Sequence, residues 1–176
     1  MYEWAAHRFV DLSEPGFGLA LLNDGKYGHS ARANVLGLSL VRSPIYPDPL
    51  ADEGEQSFTY ALMPHAGAWH GARVREEAEA LNQPLLTASL RGVAESELRP
   101  LWIEGATAAL AGLKGAEDGG GLVLRVYEPA GARGAVRVST PEGWRIAGTV
   151  DLLEQPLDTP AELRPFEVRS WRLLRE

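Results

Sequence analysis

His7, His29, His65 and His70 are the side chains in this chain best suited to hold a metal or move a proton. His65 and His70 close together in the run HAGAWH. A zinc centre needs three or four ligands converging on one point. No third ligand stands beside this pair and Gly67 lies between them. The run is therefore read as a loop whose Trp69 packs on a sheet, and no metal site is expected. Asp48, Asp52, Glu53 and Glu55 form an acidic cluster. A glycosidic carboxylate pair must be held about 5–9 Å apart, and calcium takes six or more oxygens. A segment broken by Pro44, Pro47 and Pro49 enforces neither arrangement, so a solvated acidic loop is expected. A serine nucleophile on a Gly-x-Ser-x-Gly elbow is absent. The glycines at 119–121 lack the Lys-Ser/Thr of a phosphate loop. With no cysteine, the chain has no thiol nucleophile, thiolate metal centre or disulfide.

One stretch carries more polar chemistry than a turn requires. Asp11 to Arg42 reads DLSEPGFGLALLNDGKYGHSARANVLGLSLVR. Asn23-Asp24-Gly25 is ordinary turn chemistry between two apolar strands. Lys26, Tyr27, His29 and Arg32 then crowd donors around it. Donors converging beside carboxylates suit a polyhydroxylated ligand. The five tryptophans and five tyrosines could stack on sugar, although in a small sheet protein most such rings pack internally.

The elements that would position these residues show in the alternation of apolar positions. Phe17, Leu19 and Leu21, then Leu36, Leu38 and Leu40, and Phe58, Tyr60 and Leu62 recur at period two. So do Leu122, Leu124 and Val126, the pair Val136 and Val138, and the pair Phe166 and Val168. Period two over short runs means strands with one buried face. Turn residues punctuate them at 23–26, 118–121, 128–131 and 141–143. Ala72 to Gln83 is rich in helix formers, with Val74, Ala78 and Leu81 at helical spacing and Pro84 as a stop. Glu104 to Lys114 has helical propensity but carries glycines and strand-like flanks, and is read as strand. The fold expected is all-β: an antiparallel β-sandwich with one short crossover helix near 72–83. Ser43 to Gly54 is a long proline-restricted loop, of the kind that covers something or functions.

The 176 residues allow one domain or two small ones. A single β-sandwich domain over 1–176 is expected, with a smaller closing sub-sheet from about 120 to 176. Seventeen basic against 24 acidic residues leave a net charge of −7, which opposes binding to nucleic acid and to anionic membranes. No apolar run is long enough for a transmembrane helix, and the first residues lack a secretory pattern. Without cysteine, the chain suits a reducing compartment. Tyr2 and Trp4 already alternate behind Met1, as at the edge of a piece cut from a longer chain.

Several motifs in order resemble one family. DLSEPGFGLALLNDGKYG (11–28) and LSLVRSPIYPDPLADEGEQSFTYALMPH (38–65) are similar to the C-terminal region of glycoside hydrolase family 38 α-mannosidases of the bacterial and fungal-vacuolar type. GLVLRVYEPAGARG (121–134), WRIAGTVDLLEQPL (144–157) and LRPFEVRSWRL (163–173) resemble the closing strands of the same region. The resemblance implies a supersandwich-like fold at the end of a retaining, exo-acting α-mannosidase. It implies a zinc ion and an aspartate nucleophile in a preceding catalytic domain, whose His-x-Asp ligands do not occur here. This chain would then carry no catalytic residue and no metal. Its partners would be its own N-terminal catalytic domain and a mannoside at the cleft between them, with a homo-oligomer as a further arrangement and a cytoplasmic, bacterial setting. By position, Asn23, Asp24, Lys26 and Tyr27 would form a loop near the substrate, with Arg42 anchoring the proline loop against Asp48 or Asp52. A stand-alone carbohydrate-binding sandwich and a structural oligomerisation domain are the alternative readings.

Overall fold

The computed structural model describes residues 2–87, 89, 92, 101–105 and 107–176. Contacts gather into two compact units, Met1–Arg91 and Gly92–Glu176.

The first unit contains β1 (Tyr2–Ala5), β2 (Phe9–Glu14), β3 (Phe17–Asn23), β4 (Gly28–Arg32), β5 (Val35–Leu38), β6 (Tyr60–His65) and α1 (Val74–Asn82). Its two antiparallel sheets have the orders β1-β4-β5 and β2-β3-β6. The helix begins where the glycine-rich segment ends and stops just before Pro84, as its composition predicts. An Arg75–Glu79 ion pair of 2.8 Å, one turn apart, supports its outer side. Val74 and Ala78 pack on Ala20 and Leu22 of β3, with Phe9, Ala61, Met63, Trp69 and Leu81 closing the cluster. Trp69 packs on Phe9 in a tilted pair with ring centres 5.7 Å apart, the packed role expected of it.

The alternation in β6 runs in the opposite sense to side-chain size. Its register sets Ala61 against Leu22 and Met63 against Ala20, so the smaller side chain of Ala61 and the flexible one of Met63 face the helix. Tyr60 and Leu62 stay more than half exposed. A closely docked helix leaves room for small and unbranched side chains, whereas the opposite face accepts large ones.

The second unit contains β7 (Trp102–Gly105), β8 (Ala109–Gly115), β9 (Leu122–Tyr127), β10 (Gly134–Ser139), β11 (Trp144–Val150), β12 (Glu162–Leu163) and β13 (Val168–Arg175). The antiparallel orders are β11-β13-β9-β8 and β12-β10-β7. Leu124, Val126, Trp171 and Leu173 from the first sheet meet Leu163, Ile103, Val136 and Val138 from the second. This is a β-sandwich core, and each fully buried Leu in it contributes about 1.5–3 kcal/mol. On the outer side of β9, Val123 packs with Ala116 and Val150. The strands from 122 onward thus share their sheets with β7 and β8.

The strand expected over 104–114 resolves into the end of β7 and most of β8, and Ala106 between them lies outside the described residues, as does Met1. The Phe166 and Val168 pair also reads in the reverse sense. Both are exposed, while Glu167 and Arg169 beside them turn inward. Arg169 is tolerated because its guanidinium meets Glu167 at 2.7 Å and donates to the carbonyls of Pro160 and Glu162, each at 2.7 Å. A buried charge with its donors filled costs far less than an unpaired one.

Candidate functional site

Asn23 ends β3 and is fully buried. Its Oδ1 accepts the backbone N–H groups of Gly25 (3.0 Å) and Lys26 (2.7 Å). This is an Asx-type turn, in which the side chain replaces a backbone acceptor. Gly25 has φ +148°, a region that side chains with a Cβ rarely enter. With Oδ1 committed, Nδ2 faces the Nε2 of His29 at 3.3 Å. His29 Nδ1 lies 3.0 Å from the carbonyl of Tyr27, which can only accept, so the proton sits on Nδ1 and Nε2 accepts from Asn23. Asn82 at the end of α1 donates to the Asn23 carbonyl at 2.9 Å. The Asn23 side-chain amide thereby ties the turn to β4, and its main-chain carbonyl takes the helix.

Asp24, Lys26 and Tyr27 face outward. The Asp24 carboxylate accepts the Thr59 N–H at 2.8 Å, and the Asp24 N–H donates to the Thr59 carbonyl at 3.2 Å. The hydrogen bond from the Thr59 backbone is the main reason its pKa lies below the usual carboxylate value, with the nearby Lys26 charge adding to it. Lys26 Nζ sits 5.1 Å from the centre of the Phe58 ring, a cation–π contact. Tyr27 is about half exposed and leans on His7, with ring centres 4.8 Å apart. A cleft of about 440 Å³ beside it is lined by Glu3, Trp4, Tyr27, Ser30 and Ser39.

The proline loop joins this tip. It lies in the connection from β5 to β6, whose first residue, Ser39, donates from its N–H to the Gly28 carbonyl at 2.8 Å and whose last, Thr59, is the partner of Asp24. Asp52 gathers the start of the loop by accepting the N–H groups of Arg42 (3.1 Å) and Ser43 (2.6 Å). Arg42 therefore meets Asp52 rather than Asp48, and through its main chain rather than its guanidinium. Asp48 instead closes its own turn on the Leu50 N–H at 2.9 Å. Two of the acids expected to be merely solvated are thus part of the loop's framework.

The remaining polar clusters are structural. His65 Nε2 lies 2.7 Å from Asp11 Oδ1, and Ser13 Oγ donates to the other Asp11 oxygen. The serine points at the carboxylate and not at the imidazole, so the trio lacks the order that activates a nucleophile. The His65 ring fits because Gly18 lies beneath it: a Cβ there would come within 2.3 Å of the ring. His70 packs edge-on against Trp69. Among the described residues, no three His, Asp or Glu side chains come together to hold a metal. In the second unit Glu128 is almost wholly buried and receives Thr107 Oγ1 and the N–H groups of Ala130 (3.0 Å), Gly131 (2.8 Å) and Phe166 (3.1 Å). Burial raises its pKa, but the hydrogen bonds outweigh that and lower it to about 2. The sequence reads Phe58 only as a strand position and Glu128 only as a turn position, and gives Thr59 and Asn82 no role. The one available sign is Asn23-Asp24-Gly25 itself, since Asn and Asp side chains readily accept hydrogen bonds from nearby backbone N–H groups.

Residues 1–50 match the glycosyl hydrolases family 38 C-terminal domain, and residues 107–171 match the family's C-terminal beta sandwich domain. The chain belongs to the C-terminal region of the glycoside hydrolase family 38 α-mannosidases. It is 42% identical to alpha-mannosidase 2C1 of Mus musculus over 98% of its own length and 18% of that protein. It is 39% identical to alpha-mannosidase G of Dictyostelium discoideum, covering 98% of this chain and 17% of that one. Two crystal structures from Enterococcus faecalis share the fold over 97% of this chain. One, of a protein in glycosyl hydrolase family 38, has a TM-score of 0.80. The other, of an alpha-mannosidase, has a TM-score of 0.78. Both are 22% identical in sequence, and the chain covers 22% and 21% of them. It thus spans about a fifth of the length of the relatives it matches.

Proposed function

We propose that this chain is the non-catalytic C-terminal part of a retaining, exo-acting α-mannosidase that removes terminal α-mannosides, and that it packs on a catalytic domain preceding it. The observation that carries this is the 42% identity to a mouse α-mannosidase across 98% of the chain. No step of hydrolysis is assigned to the residues present. The zinc expected of such an enzyme does not fit them: His29 is bound to Asn23 and the Tyr27 carbonyl, His65 to Asp11, and His7 and His70 lie against aromatic rings. In this reading the metal would be held by the catalytic domain, where it would supply Lewis acidity. We place the enzyme in the cytoplasm, in keeping with the absence of cysteine.

The tip from Asn23 to Gly28 stands at the rim of the mannoside cleft in this reading. Tyr27 and Lys26 present donors outward, whereas Asn23 and Asp24 act by holding the tip and its loop in shape. A charge-assisted contact contributes about 1.5–3 kcal/mol in a closed cleft. In the full-length enzyme, Asp24→Ala and Lys26→Ala should each lower kcat/KM for an aryl α-mannoside roughly 10- to 100-fold. Unchanged kcat/KM in both variants would reduce the tip to a turn. The 176-residue chain alone should not hydrolyse that substrate, with or without added zinc.

A second reading, a carbohydrate-binding sandwich, is favoured by one feature: the cleft in which Trp4 and Tyr27 stand beside Glu3, Ser30 and Ser39. Aromatic faces with carboxylate and hydroxyl partners suit sugar. Saturable chemical-shift changes of these residues on titrating the isolated chain with mannose would support it, and their absence would sink it.

A further inference from the structure

The loop between β5 and β6 is long and rich in proline, yet it is clasped from several sides. Asp24 holds Thr59, Lys26 covers Phe58, Ser39 is tied to Gly28, and Asp52 holds Arg42 and Ser43. Inside it, Asp48 and the Leu50 carbonyl close two successive turns on Leu50 and Glu53. What this framework displays is apolar. Ile45 is 85% exposed, Tyr46 87% and Leu50 61%. Solvated loops gain nothing from holding such side chains in water, and ordering them costs conformational entropy. An arm shaped in advance loses less entropy when it docks.

We infer that residues 43–54 are a preformed docking arm whose crest, Ile45, Tyr46 and Leu50, seats in an apolar recess with a basic rim on the remainder of the mannosidase polypeptide. The inference rests on the reading under Proposed function. One occupant is favoured by the length of chain lying elsewhere: more than four-fifths of the mouse relative is outside the matched region. The basic rim follows from Glu53 and Glu55, exposed carboxylates beside the crest that are not used in the loop's own framework, on a chain of net charge −7. Asp24 and Asp52 are positioning residues in this scheme, acting through the arm.

The chain contains no cysteine, so Ile45→Cys places a single thiol at the crest of this region. Its alkylation by a maleimide, located by peptide mass spectrometry, is compared between the 176-residue chain and the full-length enzyme. We expect labelling at least about tenfold slower in the full-length enzyme, the factor that burial of one large apolar side chain supplies. Ile45→Ser/Tyr46→Ser should lower the melting temperature of the full-length enzyme and leave that of the isolated chain unchanged, because these side chains are exposed there. Asp52→Ala should make the arm a protease cleavage site in the isolated chain. Equal labelling in both forms, in an enzyme that still hydrolyses an aryl α-mannoside, would overturn the docking arm. A full-length polypeptide without mannosidase activity would instead overturn the functional reading, and slowed labelling in it would still support docking.

Discussion

The tip of the first unit and the β9–β10 corner of the second solve the same problem with different chemistry. Each buries one side chain whose oxygen atoms accept the N–H groups of a tight turn. At the tip it is the neutral amide of Asn23, which takes two N–H groups and turns its own NH2 to His29. At the corner it is the carboxylate of Glu128, which takes three N–H groups and the Thr107 hydroxyl. An amide both donates and accepts, so the Asn23 side chain can knit the turn to β4 while its main-chain carbonyl takes Asn82 of the helix and Asp24, Lys26 and Tyr27 face outward. A carboxylate only accepts, and its charge strengthens every bond it receives. It seals the corner completely and makes that unit sensitive to acid. The difference separates a region built to present residues from one built to hold.

The largest expected effect is at the corner. Glu128→Gln removes the charge and turns one acceptor into a donor facing N–H groups, and should cost about 3 kcal/mol in the unfolding of the second unit. The same contrast predicts the pH profile. With its pKa lowered from 4.5 to about 2 in the folded state, Glu128 adds stability that is complete above 4.5 and disappears as pH falls toward 2. Urea midpoints measured between pH 7 and pH 2 should show this loss in the natural chain and a flatter curve in Glu128→Gln. A parallel decline in both proteins would remove Glu128 as the acid-sensitive group.

A smaller effect is expected at the tip. Asn23→Ala leaves the Gly25 and Lys26 N–H groups and the His29 Nε2 without their partner, and should cost about 2 kcal/mol. Thermal unfolding followed through Trp4 or Trp69 fluorescence would record it. Lys26→Met deletes only the cation over Phe58 and should shift stability by about 0.5 kcal/mol. A loss at Lys26 as large as that at Asn23 would erase the distinction between the turn's framework and the residues it displays.

Much of the fold is legible in the chain. Period-two runs locate β3, β5, β6, β9 and β10, turn residues mark several of their ends, and the composition around Val74 places the helix within a residue or two, whereas the Phe166 and Val168 pair touches only the first residue of β13. What periodicity does not reveal is which phase faces inward. In β6 the large Tyr60 and Leu62 lie outward because a helix docks closely over Ala61 and Met63. Before β13, Glu167 turns inward because Arg169 and the Arg164 N–H receive it. The first outcome depends on a helix that follows later in the chain, and the second on polar partners two and three residues from Glu167 that only the folded corner aims at its carboxylate. The motifs of the family are equally legible, since they are strings of residues in order. Asn23, Asp24, Lys26 and Tyr27 can be located from those strings, but how each spends its hydrogen bonds cannot.

Local order along the polypeptide therefore determined the strands, the turns, the helix and the kinship with family 38. Tertiary structure alone decided which polar groups are consumed within the fold and which remain available. The physical reason is distance along the chain. Strand propensity and turn chemistry act over a few residues, whereas a buried polar group must find its partner wherever folding brings one. Asp24 meets Thr59 across 35 positions, Glu128 meets Phe166 across 38, and Asp11 meets His65 across 54.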